Sequence, residues 1–132
     1  MSLENVAVVR SVYDNFAAGD ISAVLAVLAP AIDWVESPQD FLPHRGTHHT
    51  PGDVAAKVFG MVMATFDEFV VVAEQIHDAG AVVVVEGRAV GKTKAGRILD
   101  ARACWVWTVR DGLAVANHNY HDTDAWRLAL GG

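Results

Sequence analysis

Cysteine is nearly absent from this sequence: Cys104 is the only one among 132 residues. A single thiol cannot form a disulfide within the chain, so a fold held together by internal disulfide bonds is excluded. Such domains are typical of oxidising compartments, including the cell exterior. The low cysteine content therefore favours a reducing, cytoplasmic location.

Basic residues are also scarce. Ten lysines and arginines stand against sixteen acidic residues, which gives a formal net charge of −6 at pH 7. Proteins that bind nucleic acids depend on lysine and arginine to neutralise phosphates. A nucleic acid is therefore not expected as a partner.

Long hydrophobic runs are missing as well. A membrane-spanning helix needs about 18 consecutive apolar residues or more, whereas charged residues such as Lys92 and Arg97 interrupt every candidate segment. The first ten residues, MSLENVAVVR, lack the basic start and apolar stretch of a signal peptide. We therefore expect neither a membrane partner nor a cleaved leader.

Hydrophobic side chains, in contrast, are plentiful. They make up 52% of the residues, which is enough to build one packed core. The length is that of one domain, and no linker or internal repeat divides the chain. Residues 1–132 are therefore expected to form a single domain.

The N-terminal part of the sequence has the periodicity of helices. Apolar residues recur at three- and four-residue spacing over residues 2–16, which predicts an amphipathic helix that Gly19 ends. Asp20 is a suitable N-cap for a second helix, which is expected to stop before Pro30.

A third helix is expected after a loop over residues 37–49, where prolines and a glycine interrupt any period. Thr50 predicts its N-cap, with Pro51 in the first turn and Asp53 three residues after the cap. This helix is expected to continue to about Phe66.

The rest of the chain alternates with the period of two that is typical of strands. Short turns such as DAG, KTKAG and RDG separate the alternating segments, which favours antiparallel hairpins. Helices first and hairpins second indicate an α+β fold, with one helical turn or slightly more at the C-terminus. The predicted strands are residues 31–36, 68–77, 81–91, 97–109 and 113–123.

The last strand has one row of side chains suited to a pocket. A three-residue turn over Arg110–Gly112 would place Trp107 opposite Val115 and Trp105 opposite Asn117. A two-residue turn would instead move the tryptophan pair to the other face. The row runs from apolar to polar residues, as a pocket with an apolar floor requires; its members are Leu113, Val115, Asn117, Asn119 and His121.

The histidines do not form a recognisable metal site. His118 and His121 point to opposite faces of a regular strand, so they cannot bind one ion together. The segment HRGTHH contains three further histidines but no acidic residue or cysteine at a metal-ligand spacing. We interpret these as surface histidines of a loop and expect neither a metal nor a cofactor.

The order of several short motifs resembles the SnoaL-like polyketide cyclases, a group within the nuclear-transport-factor-two-like (NTF2-like) superfamily that also includes ketosteroid isomerases and limonene epoxide hydrolases. The resemblance extends from about Val6 to Asp124. It implies a cone-shaped roll, with a curved, mostly antiparallel sheet around a pocket closed by about three N-terminal helices, and usually a homodimer. The motifs are Ala18-Gly19-Asp20, Trp34-x-Glu36, Trp107-Thr108-Val109-Arg110-Asp111-Gly112 and Tyr120-x-Asp122-Thr123.

This sequence lacks part of the catalytic set that the ketosteroid isomerases share. The carboxylate base of those enzymes matches Glu36 when the tryptophan is aligned, and Ser37 when the segment V-E-x-P is aligned. Tyr13 is one residue out of register with their oxyanion-hole tyrosine. Trp105 or a neighbour stands where they carry a protonated aspartate, so ketosteroid isomerisation is disfavoured.

The sites of the other relatives are also matched only in part. The aspartate on the last strand of the cyclases, and also of the hydrolases, corresponds to Asn119, which can donate a hydrogen bond but cannot carry a proton. Asp100 and Arg102 resemble the hydrolases' neighbouring pair in kind, but their order is reversed.

The candidate catalytic residues are Glu36, Asn119 and His121. Glu36 would be a general base with a pKa raised by an apolar pocket, while Asn119 and His121 would stabilise an enolate oxygen. Asp122 is expected to cap the C-terminal turn or to contact Arg127, and Arg45 to hold its loop. The candidate pocket residues are Tyr13, Trp34, Trp105, Trp107 and Asn117.

Two functions fit this sequence. The first is a small acid–base enzyme, a cyclase, isomerase, dehydratase or hydrolase that acts on a hydrophobic, oxygenated small molecule. The second is a non-catalytic module that binds a lipophilic ligand or serves as a dimeric scaffold. A carboxylate that faces an imidazole in a sealed pocket would favour the first, and a pocket filled by tryptophan with Met61 or Met63 the second.

Overall fold

The computed structural model describes residues 2–132. Helix α1, Ser2–Ala17, buries Val9, Val12 and Tyr13 along one face, as its apolar spacing predicts. Helix α2, Ile21–Ala26, begins after Asp20, whose side chain accepts a hydrogen bond from the Ala23 N–H at 3.1 Å. Both helix starts are confirmed, but α2 ends before the expected boundary at Pro30.

The third helical segment is less regular than expected. Helix α3, Pro51–Asp53, begins at the predicted cap, where the Thr50 hydroxyl accepts from the Asp53 N–H at 3.0 Å. A π-helical segment, Val54–Phe59, follows, and helix α4, Gly60–Thr65, completes the run. A π-helical turn inserts an extra residue per turn and is frequent near functional sites.

The strands of the described chain form one six-stranded sheet. Its order is β2-β1-β6-β5-β4-β3, and every neighbouring pair is antiparallel except β1 with β6. Together with the N-terminal helices, this is the predicted α+β fold. The strands are β1 Leu28–Val35, β2 Thr47–His48, β3 Phe66–Ala79, β4 Val82–Thr93, β5 Ile98–Arg110 and β6 Leu113–His121.

Strand β1 starts three residues earlier than predicted. Its pairing with β6 shifts register between Leu28 and Asp33, and Pro30 falls within this irregular part. A proline that cannot donate a ladder hydrogen bond is tolerated at such a position. The short strand β2 was predicted as loop; it pairs with the end of β1, with His48 beside Trp34.

The turn between β5 and β6 has two residues rather than the predicted three. Asp111 and Gly112 both have positive φ angles, 52° and 77°, and Arg110 pairs directly with Leu113. Asp-Gly with two positive φ angles is the sequence preferred by type I′ turns. The predicted turn was therefore wrong.

A β-bulge then restores the orientation of the tryptophans. Val109 pairs with Ala114 and Thr108 with Ala116, so Val115 is an extra residue on β6. As a result Trp107 lies opposite Asn117, and Trp105 opposite Asn119. Each tryptophan therefore lies opposite a residue two positions further along β6 than predicted. In the buried row of β6, Ala114 takes the place of Leu113 and Val115. The alternative of an outward-facing tryptophan pair is also excluded, since both indoles are buried.

We expect Asp111→Ala to lower the free energy of unfolding by about 1 kcal/mol, because alanine lacks the side-chain compensation of aspartate at positive φ. The matched variant Asp111→Asn should be neutral or slightly stabilising. Urea denaturation measures both, and an alanine variant as stable as the wild type would contradict the importance of this turn.

The core lies between the helices and the inner face of the sheet. Alternate residues of β5 from Leu99 to Val109 are buried on this face. Helix α5, Thr123–Ala129, closes one end through Trp126, which packs against Phe66 and Phe69. Within residues 2–132, none of the helices has the length and apolar character that crossing a membrane requires.

Candidate functional site

A cavity of about 60 Å³, measured as the space open to the centre of a water molecule, lies between the helices and the sheet. Its walls are mainly apolar and aromatic side chains from α1, the π-helical segment and four of the strands. The polar side chains on the wall, apart from the Tyr13 hydroxyl and the indoles, are Glu36, His44, Asn117, Asn119 and His121.

All eight residues that the sequence nominated lie on this cavity. They come from α1, β1 and the residue after it, β5 and β6, so they are distant in sequence. Their placement is observed, whereas their roles in binding or catalysis stay predictions. The eight are Tyr13, Trp34, Glu36, Trp105, Trp107, Asn117, Asn119 and His121.

The structure distinguishes Glu36 from Ser37. The Glu36 residue is only 5% exposed, and its Oε2 accepts a hydrogen bond from the Trp34 Nε1–H at 2.8 Å. Burial raises the pKa of Glu36 to about 8, against the smaller lowering effect of the Trp34 bond. Ser37 is half-buried and bonds to the side chain of Gln39 instead. Glu36 is therefore the carboxyl group of the cavity.

Two imidazoles flank the second oxygen of this carboxyl group. The Nε2 atoms of His44 and His121 lie 3.8 Å and 4.0 Å from Glu36 Oε1. Both distances exceed a hydrogen bond, and Oε1 is buried with no hydrogen-bond partner among the described residues. One oxygen atom of a water or a ligand could bridge these gaps.

Both imidazoles are neutral at pH 7. Burial lowers the pKa of His121 to about 4. For His44, burial is again the main cause of a pKa lowered to about 4, with smaller effects from His121 and His48. The cavity therefore combines a carboxyl group that is hard to ionise with two imidazoles that are hard to protonate.

His44 was missed by the sequence analysis, which interpreted the HRGTHH histidines as surface residues. That interpretation is wrong for His44 and His48, which are 4% and 8% exposed, while His49 is exposed. The His44 ring packs on Trp126, with ring centroids 4.8 Å apart. The apolar residues just before it, Phe41-Leu42-Pro43, were the available signal, since Leu42 is buried in the core.

Tyr13 and Trp107 form a second polar group on the cavity wall. The Trp107 Nε1–H donates to the Tyr13 hydroxyl at 2.9 Å. Burial raises the pKa of Tyr13 well above its ordinary value, so the phenol keeps its proton. Because it accepts the indole bond, its own hydrogen remains available for a ligand oxygen.

The two asparagines of β6 differ in their hydrogen bonding. Asn119 Nδ2 donates to the carbonyl oxygens of Val35 at 3.0 Å and Asn117 at 3.4 Å. Both of its amide hydrogens are thus used by the backbone, which leaves none for an enolate oxygen. The side chain of Asn117, in contrast, has neither its oxygen nor its nitrogen paired with any described residue.

The remaining polar candidates are structural. Asp122 caps α5 by accepting from the Ala125 N–H at 3.2 Å, as expected. The suggested contact between Asp122 and Arg127 is replaced by a bond from Arg127 to Asp124. Arg45 donates to the Leu42 carbonyl oxygen at 3.1 Å, consistent with holding its loop.

Asp100 and Arg102, which resembled the hydrolase pair in kind, lie outside the cavity lining. Asp100 pairs with Arg88 on the exposed face of the sheet. Over residues 2–132, no group of three or more histidine, cysteine or acidic side chains has a geometry suited to a metal ion.

Comparison with known proteins places this chain in a family. The model of the SnoaL-like domain matches residues 9–117. An NTF2-like protein from Burkholderia thailandensis has 27% identity and a TM-score of 0.89, with 96% of this chain and 97% of that chain covered. No curated protein sequence matches the chain.

Two other solved structures share the fold at lower identity. TerC, co-crystallised with polyporic acid, has 21% identity and a TM-score of 0.89, covering 98% and 99% of the two chains. A candidate SnoaL-like polyketide cyclase from Jannaschia sp. CCS1 has 20% identity and a TM-score of 0.80, covering 98% and 93%. The family model matches most of the sequence, and the fold agrees with it: the chain belongs to the SnoaL-like domain family, with an NTF2-like α+β fold.

Proposed function

We propose that this protein is a general acid–base enzyme that moves a proton on a small, neutral, oxygenated organic molecule. The observation that supports this most is the Glu36 carboxyl group, which is buried in an apolar cavity with one oxygen held and the other unpaired. TerC was co-crystallised with polyporic acid and the Jannaschia protein is a candidate polyketide cyclase, so a small organic substrate is consistent with the fold.

Glu36 is suited to both giving and taking a proton. With a pKa of about 8, it is mostly protonated at neutral pH, yet it ionises within reach of physiological conditions. Proton transfer is most efficient when the pKa of the group lies near the working pH. The Trp34 bond fixes Oε2, so Oε1 is the oxygen that exchanges the proton.

The reaction begins with the ionised form of Glu36. Oε1 takes a proton from the carbon next to a substrate carbonyl, which leaves an enolate and a protonated carboxyl group. The Tyr13 hydroxyl, held by Trp107, donates to the enolate oxygen in place of Asn119, whose hydrogens are used by the backbone. Return of the proton from Glu36 to a different atom completes an isomerisation. In a cyclisation, the enolate carbon would instead attack a second carbonyl carbon, and Glu36 would return its proton to the alkoxide that forms.

His121 and His44 hold an oxygen next to the reacting carboxyl oxygen. Their Nε2 atoms lie 4.0 Å and 3.8 Å, respectively, from Glu36 Oε1, and the Nε2 of a neutral imidazole can donate or accept one hydrogen bond. A substrate oxygen or a water placed there would be within reach of all three groups. In this proposal His121 holds that oxygen together with His44, instead of the enolate oxygen that the sequence suggested for it.

The binding-module alternative receives less support. It required a pocket filled by tryptophan and methionine, but Met61 and Met63 are 42% and 61% exposed and do not line the cavity. An unpaired carboxyl oxygen in an apolar wall also costs stability, which a simple lipophilic site does not need.

Exchange of ketone protons for deuterium tests the proposal without knowledge of the natural substrate. We expect the protein to accelerate exchange next to the carbonyl of small cyclic ketones, such as cyclohexanone and indanone, in deuterium oxide, with NMR as the readout. The rate should rise with pH up to about 8, because the ionised form of Glu36 is the base.

The control for this assay is Glu68→Gln, which changes an exposed carboxylate on β3 and should keep the full rate. A protein that accelerates exchange of none of the ketones at any pH, or whose acceleration persists unchanged in Glu36→Gln, would contradict the proposed function.

A further inference from the structure

We infer that the Asn117 carboxamide is the recognition group of the cavity, and that it selects neutral ligands with a hydrogen-bond donor beside an acceptor, such as lactams, primary carboxamides and enolised hydroxyketones. The inference names the ligand class of the same cavity, and it rests on the proposed function for the assumption that the ligand is the substrate.

The side chain of Asn117 is wholly buried and lines the cavity. Neither its Oδ1 nor its Nδ2 has a hydrogen-bond partner among residues 2–132. Buried polar groups in folded proteins are nearly always paired, because loss of water without a replacement bond costs free energy. A carboxamide with both ends unpaired therefore points to a partner that enters the cavity.

The neighbouring side chains cannot supply that partner. Trp34 on β1 and Trp107 on β5 lie directly beside Asn117 in the sheet. Their indole N–H groups already donate to Glu36 and Tyr13, respectively. Asn119 bonds to the backbone oxygen of Asn117 and leaves the side chain untouched.

The geometry of a carboxamide defines the complementary ligand. Oδ1 accepts and Nδ2 donates in one plane, so a ligand with a donor and an acceptor on neighbouring positions can make both bonds at once. The rings of Trp34 and Trp107, which flank Asn117 in the sheet, pack edge to face with centroids 5.7 Å apart. The walls beside the amide are therefore aromatic, which favours a flat ligand group.

The charge of the cavity excludes anionic ligands. None of the described side chains on its wall is a lysine or arginine, and both of its histidines are held neutral by burial. A carboxylate would enter without a counter-charge and lose its hydration. The selected ligand is therefore neutral, which separates a lactam or amide from a carboxylic acid at neutral pH.

The test compares the affinities of the protein for 2-pyridone and for N-methyl-2-pyridone, both measured by NMR titration. Both are flat and neutral, but only the first has an N–H next to its carbonyl. We expect the wild type to bind 2-pyridone at least tenfold more tightly. A site that is built to hydrogen-bond a ligand group discriminates against an analogue lacking it, since its own buried group is then left unpaired.

The variant Asn117→Leu has a similar shape without the polar atoms. We expect this variant to bind the two probes with about equal affinity. Its melting temperature should rise by a few degrees, because the unpaired amide is gone. Equal binding of the two probes to the wild type, binding of neither, or an unchanged preference in the variant would each overturn the inference. The wild-type comparison needs no variant, so it decides the question even where Asn117→Leu does not fold.

Glu36→Gln separates this inference from the proposed function. That variant should keep the preference for 2-pyridone while it loses proton exchange. A preserved preference together with no exchange activity in the wild type would refute the proposed function alone, whereas exchange activity without any preference would refute the role of Asn117 alone.

Discussion

Replacing Glu36 with glutamine is expected to lower the rate of ketone proton exchange by at least about a hundredfold, since a positioned acid or base contributes roughly 10²–10⁴ to a rate. Glutamine has nearly the same shape, and its amide oxygen can still accept the Trp34 hydrogen bond at the position of Oε2. The variant should therefore fold and keep its cavity, and only the transferable proton is lost.

The same substitution should change how stability depends on pH. The pKa of Glu36 is raised from 4.5 to about 8 in the folded protein, so the folded state binds more protons than the unfolded state between these values. Stability must then fall as pH rises from about 4.5 to about 8. Glu36→Gln lacks this loss, and we expect it to be more stable than the wild type at pH 9 by a few kcal/mol.

The two histidines act in the opposite direction. Their pKa values are lowered from 6.5 to about 4, so the unfolded state binds more protons between those values, and stability falls as pH drops through that window. These three groups together place the stability maximum near pH 6.5. Urea denaturation of the wild type, Glu36→Gln and Glu68→Gln at pH 5, 6.5 and 9 measures the loss of stability on both sides of this maximum.

A Glu36→Gln variant that loses stability at pH 9 would show that the ionised carboxylate stabilises the fold. The carboxyl group would then be a structural ion-pair partner rather than a proton carrier that burial keeps protonated.

Gly87→Ala is expected to cause the largest loss of stability, about 3 kcal/mol or more, because a Cβ at this position would lie 1.8 Å from the Val72 carbonyl oxygen. The obstacle is backbone, which cannot rotate away as a side chain can. β3 has a bulge between Ala73 and Gln75 beside Gly87, and such bulges bend a sheet. The glycine thus permits the close approach of β3 and β4 at this bulge.

Gly52→Ala is the matched control for Gly87→Ala. Gly52 lies in α3, where an added Cβ would be 3.9 Å from its nearest neighbour, the Thr50 hydroxyl. Alanine should therefore be neutral or stabilising there. Thermal unfolding measures both, and a Gly87→Ala variant as stable as the control would contradict the role of Gly87 in this close approach.

The sequence predicted helix starts correctly where the start depends only on residues close to it in the chain. The caps at Asp20 and Thr50 were correct because each needs only a side-chain oxygen and an N–H three residues later. The end of α2 was wrong because proline was taken as the stop, while the chain had already left the helix for β1 three residues earlier. There the pairing of Val27 and Leu28 with Ala114 outweighs helix propensity.

The strand register shows how two errors can compensate. The three-residue turn was wrong, and the two-residue turn alone would have turned Trp105 and Trp107 outward. The bulge at Val115 turns them back. The sequence LAVAN does not indicate a bulge, because the position of the bulge depends on how β6 fits between β1 and β5.

The candidate site was predictable along β6 and much less so in the loop after β1. Alternation placed Asn117, Asn119 and His121 on one face without knowledge of the fold. His44 lines the same cavity from the loop after β1, and its ring packs on Trp126 from the other end of the chain, a contact that local sequence does not reveal. The hydrogen bond from Asn119 Nδ2 to the Val35 carbonyl oxygen likewise depends on the parallel pairing of β1 with β6.

The pKa of Glu36, measured by carbon NMR of its side-chain carboxyl group over a pH titration, decides whether this group is a buried proton carrier. Glu36→Gln assigns the signal by its disappearance, and Glu68→Gln assigns an exposed reference. We expect a titration midpoint near pH 8, which moves when a neutral ligand occupies the cavity. A midpoint near the ordinary value of 4.5 would show that the carboxyl group is solvated, and the account of a buried proton carrier would be wrong.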